Sequence, residues 1–172
     1  MDDATILSNI MQKAFQIADD SVPLGMDVAA IKPTLAKLPG GPTTGLESLF
    51  ESTWPAEGFF VGRIELFGHE RINYEHEELL PSCLIVQHGF LGIGGDGAGT
   101  IFAYCIEDQK VYLIYHEDVD EDTLRPASGG EMEVTPENIK SISEETWDSM
   151  GKLLEWAYAE LLTIEKENQD SQ

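Results

Sequence analysis

The stretch "GIGGDGAG", residues 92 to 99, holds Gly92-x-Gly94-x-x-Gly97. At the end of a strand and the start of a helix, this spacing closes the backbone on a dinucleotide pyrophosphate. That chemistry also needs an acid about 20 residues downstream. The preceding "CLIVQHGFLGI" is strand-like, and Glu117 and Asp118 stand at a suitable distance. The helix is missing. "TIFAYCIED" (100 to 108) has high β-propensity and no helical period, so no helix N-terminus faces a phosphate. There is no Gly-Lys-Ser/Thr, and no Lys or Arg lies between Arg71 and Lys110. The glycines are therefore expected to join two antiparallel strands, with Asp96 bonding nearby N–H groups. A turn bare of side chains also lets a partner approach its backbone.

The remaining reactive residue types give no catalytic constellation. His69, His76, His88 and His116 lack the spacing of a zinc site. "Glu75-His76-Glu77-Glu78" reads as a solvated polar loop rather than a metal site. Cys83 and Cys105 fall in apolar stretches read as strands, where a thiolate is disfavoured. They are expected to be buried, reduced thiols rather than a disulfide or a nucleophile. Ser128-Gly129-Gly130 has no nucleophile-elbow context. The run Glu117-Asp118-Val119-Asp120-Glu121-Asp122 lacks the glycine and spaced ligands of a calcium loop. It is either a solvated loop or a landing site for a partner's Lys and Arg. The candidate contacts are thus Asp96, Glu117, Asp118, Asp120, Glu121 and Asp122, in a protein expected to have no cofactor, no metal and no enzymatic activity.

Charge narrows the partner. The 172 residues carry 32 acids against 10 Lys and Arg, a formal net charge of −22. Nucleic acid and anionic membrane surfaces are repelled by such a field. It serves either solubility or attraction to a basic protein. The acidic start "MDDATILSNIMQKAF" lacks the basic opening and longer apolar run of a signal peptide, and no segment approaches a membrane span. A cytoplasmic protein is expected.

The secondary structure that carries these residues is read from periodicity. "ATILSNIMQKAFQIA" (4 to 18) places Leu7, Ile10, Met11, Ala14 and Ile17 on one helical face, with Asp3 as N-cap. A second helix over 27 to 38 is interrupted or started by Pro33, and "TTGLESLFESTW" gives a short third. "GFFVGRIELFG" (58 to 68) reads as one strand or two short ones, and "HERINYEHEELLP" (69 to 81) as a polar loop with a helical turn. "SCLIVQHG" (82 to 89) reads as a strand buried on both faces. "TIFAYCIED" and "KVYLIYHED" form a hairpin that reverses at Glu107-Asp108-Gln109-Lys110. "EMEVT" gives a short strand in an acidic loop. From Ser143, as N-cap, a long helix carries Trp147, Met150, Leu154, Ala157, Tyr158 and Leu161. The class is α+β: a single domain with a central antiparallel sheet, flanked by amino-terminal helices and a long carboxy-terminal helix. Residues 1–42 form a helical extension packed on the domain, 43–164 the α+β body, and 165–172 a frayed polar tail.

In their order, "GLESLFESTW", "GFFVGRIELFG", "LLPSCLIVQHGFLGIGGDGAGTIFAYCIEDQKVYLIYHED" and "SISEETWDSMGKLLEWAY" resemble the SUKH superfamily, the cell-wall-assembly-regulator-like family. The matching pieces are "ELFG" (65 to 68), "GDGAGT" (95 to 100), "KVYLIYHED" (110 to 118) and "EETW" (144 to 147), spread over residues 44 to 160. The resemblance implies helices around an antiparallel sheet. It also implies a bacterial immunity protein, which binds and neutralises a cognate toxin by occlusion, or an intracellular scaffold or regulatory module as in fungal members. An acidic inhibitor would suit a basic, nucleic-acid-targeting toxin. The family supplies no catalytic residues, and its partner surface varies, so no contact residue is carried over from it.

Overall fold

The computed structural model describes residues 3–18 and 22–170. Helix α1 (Asp3–Ala18) buries Leu7, Ile10, Met11 and Ala14, as expected from their spacing, whereas Ile17, expected on the same face, is only partly buried. Asp3 is its first residue, and its carboxylate accepts from Ser149 Oγ at 2.8 Å. Helix α2 (Val28–Leu35) starts at Asp27, whose side chain accepts from Ala29 N–H at 3.0 Å. Pro33 neither starts nor breaks it but sits inside. Proline removes one ladder bond there. The Asn73 side chain supports this stretch, donating to Ala30 C=O and accepting from Thr34 Oγ1, both at 2.8 Å. Helix α3 (Thr44–Ser52) is capped by Thr43 on Leu46 N–H at 3.2 Å.

"GFFVGRIELFG" folds as two short strands, β1 (Phe59–Val61) and β2 (Ile64–Leu66). The next two segments depart from expectation. Residues 69 to 81 are not a loop with one turn, because helix α4 (His69–Glu78) runs through most of them. "SCLIVQHG" is not a strand. It forms helix α5 (Ser82–Ile85) and a 3₁₀ turn (Val86–His88), which Gly89 ends in the left-handed conformation at φ 89°. A short apolar run bounded by Pro and Gly suits a buried helix as well as a buried strand, and contact with α4 decides it here. Cys83 accordingly sits half-buried on a helix, while Cys105 is buried in a strand, and both are free thiols.

The strand shifts into the glycines themselves: β3 spans Phe90–Gly95, followed by β4 (Ile101–Cys105) and β5 (Val111–Ile114). The β4–β5 reversal is the expected one, with Gln109 at φ 61°. A small separate sheet pairs β6 (Thr123–Leu124) with β7 (Met132–Glu133) inside the acidic loop. Helix α6 (Pro136–Ile142) comes next, then β8 (Thr146–Trp147) and α7 (Met150–Asp170).

Ser143 is therefore not an N-cap of the long helix. It ends α6, its hydroxyl accepts from Leu113 N–H at 3.0 Å, and it donates to Glu145 C=O at 2.6 Å. Ser149 takes the capping place, accepting from Lys152 N–H at 3.3 Å. Trp147 leaves the helical stripe for the sheet, where its ring lies 5.5 Å from Phe102 and 5.3 Å from Trp156. Residues 165 to 170 continue α7 instead of fraying, as their Glu, Lys and Gln content allows.

The main sheet has the order β1-β2-β3-β4-β5-β8, antiparallel throughout. Strands β3, β4 and β5 are buried along their whole length, so both faces of the central sheet are covered. α1 packs on α7, α2 on α4, and α4 and α5 on β3. The apolar residues of α1 and α2 join the same core as the sheet. The fold is α+β, one domain with amino-terminal helices and a long carboxy-terminal helix around a six-stranded antiparallel sheet. No helix among the described residues is long and apolar enough to cross a membrane.

Candidate functional site

The glycine stretch does two different things. Its first half is strand. The pairing of β3 with β4 shifts register between Gly92 and Gly94, a bulge that lets Ile93 C=O accept from Phe67 N–H at 3.0 Å. A Cβ on Gly92 would lie 2.8 Å from Ser82 Oγ, and one on Gly94 would lie 2.7 Å from the Glu65 carbonyl oxygen. Glycine is needed here for close packing, not for a phosphate. Only the second half is a turn. Gly97 and Gly99 have φ of 75° and 96°, where a side chain is strained. Asp96 Oδ1 accepts from Ala98 N–H at 2.8 Å and Thr100 N–H at 3.2 Å, the local bonding expected of it. The chain leaves the turn as strand β4, not as the helix that a pyrophosphate site of this spacing needs.

The densest polar cluster is interior. Glu75 and His76 are 2% and 1% exposed, whereas Glu77 and Glu78 face solvent. The solvated loop expected for these four residues is thus a helix with a buried ionisable side. His76 Nδ1 lies 2.7 Å from Ile72 C=O, and its Nε2 accepts from Gly92 N–H at 2.9 Å. These partners fix a neutral ring with the proton on Nδ1. Burial above all lowers its pKa to about 4; the Ile72 bond opposes this and the charge of Lys37 adds to it. Glu75 pairs with Arg71 at 2.6 Å. Burial raises its pKa, against Arg71 and with help from Glu65. The Ser82 hydroxyl stands close enough to favour the charged Glu75 carboxylate, yet it makes no well-formed hydrogen bond. Among the described residues, no three His, Cys, Asp or Glu side chains are grouped as metal ligands.

The six acids singled out from the sequence do not form one strip. Asp96 and Glu117 are exposed. Asp118 is 8% exposed, and burial raises its pKa, followed by the charges of Glu117 and Glu144. Asp120 is engaged inside the loop: Oδ2 pairs with Arg125 at 2.6 Å and Oδ1 accepts from Glu121 N–H at 2.9 Å. Its own N–H donates to Thr123 C=O at 2.9 Å, which leaves Glu121 and Asp122 exposed at a turn tip.

What the fold adds is a second pair of acids. Leu113 N–H donates to Glu145 C=O at 3.0 Å where β8 joins β5. Exposed Glu144 and Glu145 thereby come within electrostatic reach of the Tyr115 hydroxyl, as does Asp96 of the glycine turn. The Tyr115 hydroxyl reports this field: partial burial raises its pKa, and then Glu144, Glu145, Asp96 and Asp118 raise it further. Exposed His116 lies against the turn, where a Cβ on Gly99 would lie 2.6 Å from its Nδ1. From sequence, Glu144 and Glu145 read as helix-dipole partners, and no local pattern ties them to residue 115.

An acidic face built this way can steer and bind cations. The sequence matches no known protein family and no curated protein.

Proposed function

We propose that this chain is a cytoplasmic immunity protein of SUKH type, which binds a basic protein toxin and occludes it without catalysis. The observation that carries this reading is the convergence of Asp96, Asp118, Glu144 and Glu145 on Tyr115 from three separate segments, with Glu117 acting on Asp118 beside them. Such a field raises association rates with a cationic partner by roughly 10 to 10³-fold at low salt. The order of the elements that resembles the SUKH superfamily, together with an α+β fold, supports the same reading. A toxin that attacks nucleic acid needs a basic groove, and this face offers it acidic groups in place of phosphates.

The test is co-expression with the product of a toxin-like reading frame neighbouring this gene. Growth should recover, and the purified proteins should associate at a rate that falls steeply with salt. Continued killing, with no complex between the purified proteins, removes the reading.

A further inference from the structure

Among the described residues, the exposed large apolar side chains are Phe60, Tyr74, Trp156 and Leu162. Tyr74 lines one groove, and Phe60 stands next to a residue that does. Phe60 stands opposite Glu65 in the β1–β2 pair, so both side chains leave the same face of the sheet. Glu65 and Tyr74 in turn line a cleft of about 580 Å³ between β2 and the start of α4. From Glu65 and Arg71 a second hollow of about 220 Å³ continues to Gly97, Gly99 and His116 beneath the glycine turn. The two hollows share Glu65 and Arg71, so they lie side by side between Tyr74 and the glycine turn.

The charge of the groove is one-sided. Arg71 is the one Lys or Arg lining either hollow among the described residues, and it is committed to buried Glu75. Glu57, Glu65 and Glu70 line the larger cleft, and none of the three has an ion-pair partner among the described residues. The groove also shows how it holds a guanidinium. Arg71 lies over the Phe67 ring at 5.4 Å and the Tyr74 ring at 5.8 Å, with a carboxylate at its tip.

We propose that this groove docks an extended, basic segment of the protein partner. A Lys or Arg of that segment seats against Tyr74, with Glu57, Glu65 and Glu70 as its counter-charges. The proposal rests on the protein-binding reading above and deepens it. Charge selects this occupant: an apolar helix would bury three unpaired carboxylates, and an acidic segment or nucleic acid would be repelled. Length selects an extended segment, because a lone side chain fills one hollow whereas a strand-like chain passes through both. Exposed aromatic rings ringed by opposite charge are the usual anchors of such contacts. The face around Tyr115 then sets the rate of encounter, and the groove sets how long the partner stays.

The test uses the full chain and fluorescein-labelled nona-arginine, read by anisotropy at physiological ionic strength, with nona-glutamate as the opposite probe. Nona-arginine should bind, and nona-glutamate should not. Phe60→Ala/Tyr74→Ala and Glu65→Gln/Glu70→Gln should each weaken binding about tenfold or more. Glu160→Gln/Glu165→Gln removes the same charge from α7 and should leave binding nearly unchanged. Phe60 and Tyr74 are 57% and 49% exposed, so their truncation spares the core, which a thermal melt checks. No binding by the native chain, or equal loss in the α7 control, overturns the groove. Toxin protection separates the two readings. Protection that survives Phe60→Ala/Tyr74→Ala overturns the groove as the toxin contact and leaves the function standing. Peptide binding at the groove without protection by the native chain does the reverse.

Discussion

His76 Nε2 accepts a hydrogen bond from the Gly92 N–H at 2.9 Å, which ties helix α4 to the glycine-rich strand β3. The bond requires an unprotonated Nε2. A second proton would turn the acceptor into a donor facing an N–H, in a site that is 1% exposed.

Stability should therefore depend on pH through this residue. The unfolded chain takes up the proton near the ordinary value of 6.5, whereas the folded protein resists until about 4. As pH falls through that window the unfolded state gains protons first, so stability is full above 6.5 and lost progressively down to about 4. The full effect is on the order of 3 kcal/mol. Glu75 works the other way, since its raised pKa makes the folded state take up a proton first. His76→Gln keeps an acceptor for Gly92 but cannot titrate. The difference in urea-unfolding free energy between native and variant should shrink as pH drops from 7 to 4.5. A constant difference would show that His76 is not the group responsible.

The two halves of the glycine stretch should respond differently to alanine. In Gly94→Ala the new Cβ meets the Glu65 carbonyl oxygen at 2.7 Å, which is backbone within the sheet and cannot move aside. A cost of about 1–3 kcal/mol or more is expected. In Gly97→Ala nothing lies within 4 Å of the Cβ, and only the φ of 75° opposes it, at about 1–2 kcal/mol. Urea denaturation should rank Gly94→Ala as the more damaging. The reverse order would mean that the close approach at Gly94 relaxes and that the positive φ of the turn is the stronger constraint.

Where the pattern is local, the sequence is readable. The face of α1, the β4–β5 hairpin and the strand after the glycines all come from period and propensity. Residues 69 to 88 are not readable that way. Glu75 and His76 look like solvent-facing groups until Arg71 and Gly92 supply their partners, and Gly92 is 16 residues from His76. "SCLIVQHG" is short enough to be either element, and packing on α4 decides. The candidate site divides likewise. Glu117 and Asp96 are visible as acids in turns, but that Glu144 and Glu145 join them depends on β8 pairing with β5. The burial of Asp118 depends on the fold of its own loop.

The β4–β5 reversal carries a second buttress. Asp108 accepts from Lys110 N–H at 3.1 Å, from the Tyr112 hydroxyl at 2.7 Å and from Lys140 Nζ at 3.0 Å, which anchors α6 to the hairpin. Burial alone would raise its pKa, but Tyr112, Lys140 and the Lys110 N–H together hold it down at about 2. Its stabilisation is present above the ordinary value of 3.8 and lost as pH falls through about 2. Burial and Asp108 push the Tyr112 hydroxyl up to about 12. Tyr112→Phe should cost about 1–2 kcal/mol at pH 7 and let the Asp108 carboxyl titrate closer to 3.8. NMR titration of Asp108 reads this directly, and an unmoved midpoint would assign the depression to Lys140 and the Lys110 N–H instead.

The acidic face can be tested before any partner is known. The charges of Glu144, Glu145, Asp96 and Asp118 all act on the Tyr115 hydroxyl in the direction that resists ionisation. Glu144→Gln/Glu145→Gln removes two of the four without touching a buried residue, since both side chains are exposed. The Tyr115 pKa should then fall back toward its ordinary value of 10, measured by ultraviolet titration against a Tyr115→Phe background that isolates this tyrosine. The difference between native and variant should narrow as salt is added, because charges exposed to solvent are screened over about 8 Å at physiological ionic strength. In the presence of a basic toxin the same pair should slow association and flatten its salt dependence, while dissociation stays close to native. A Tyr115 pKa indifferent to both substitutions would mean that β8 does not deliver these acids to the face, and the charge argument for toxin capture would fall with it.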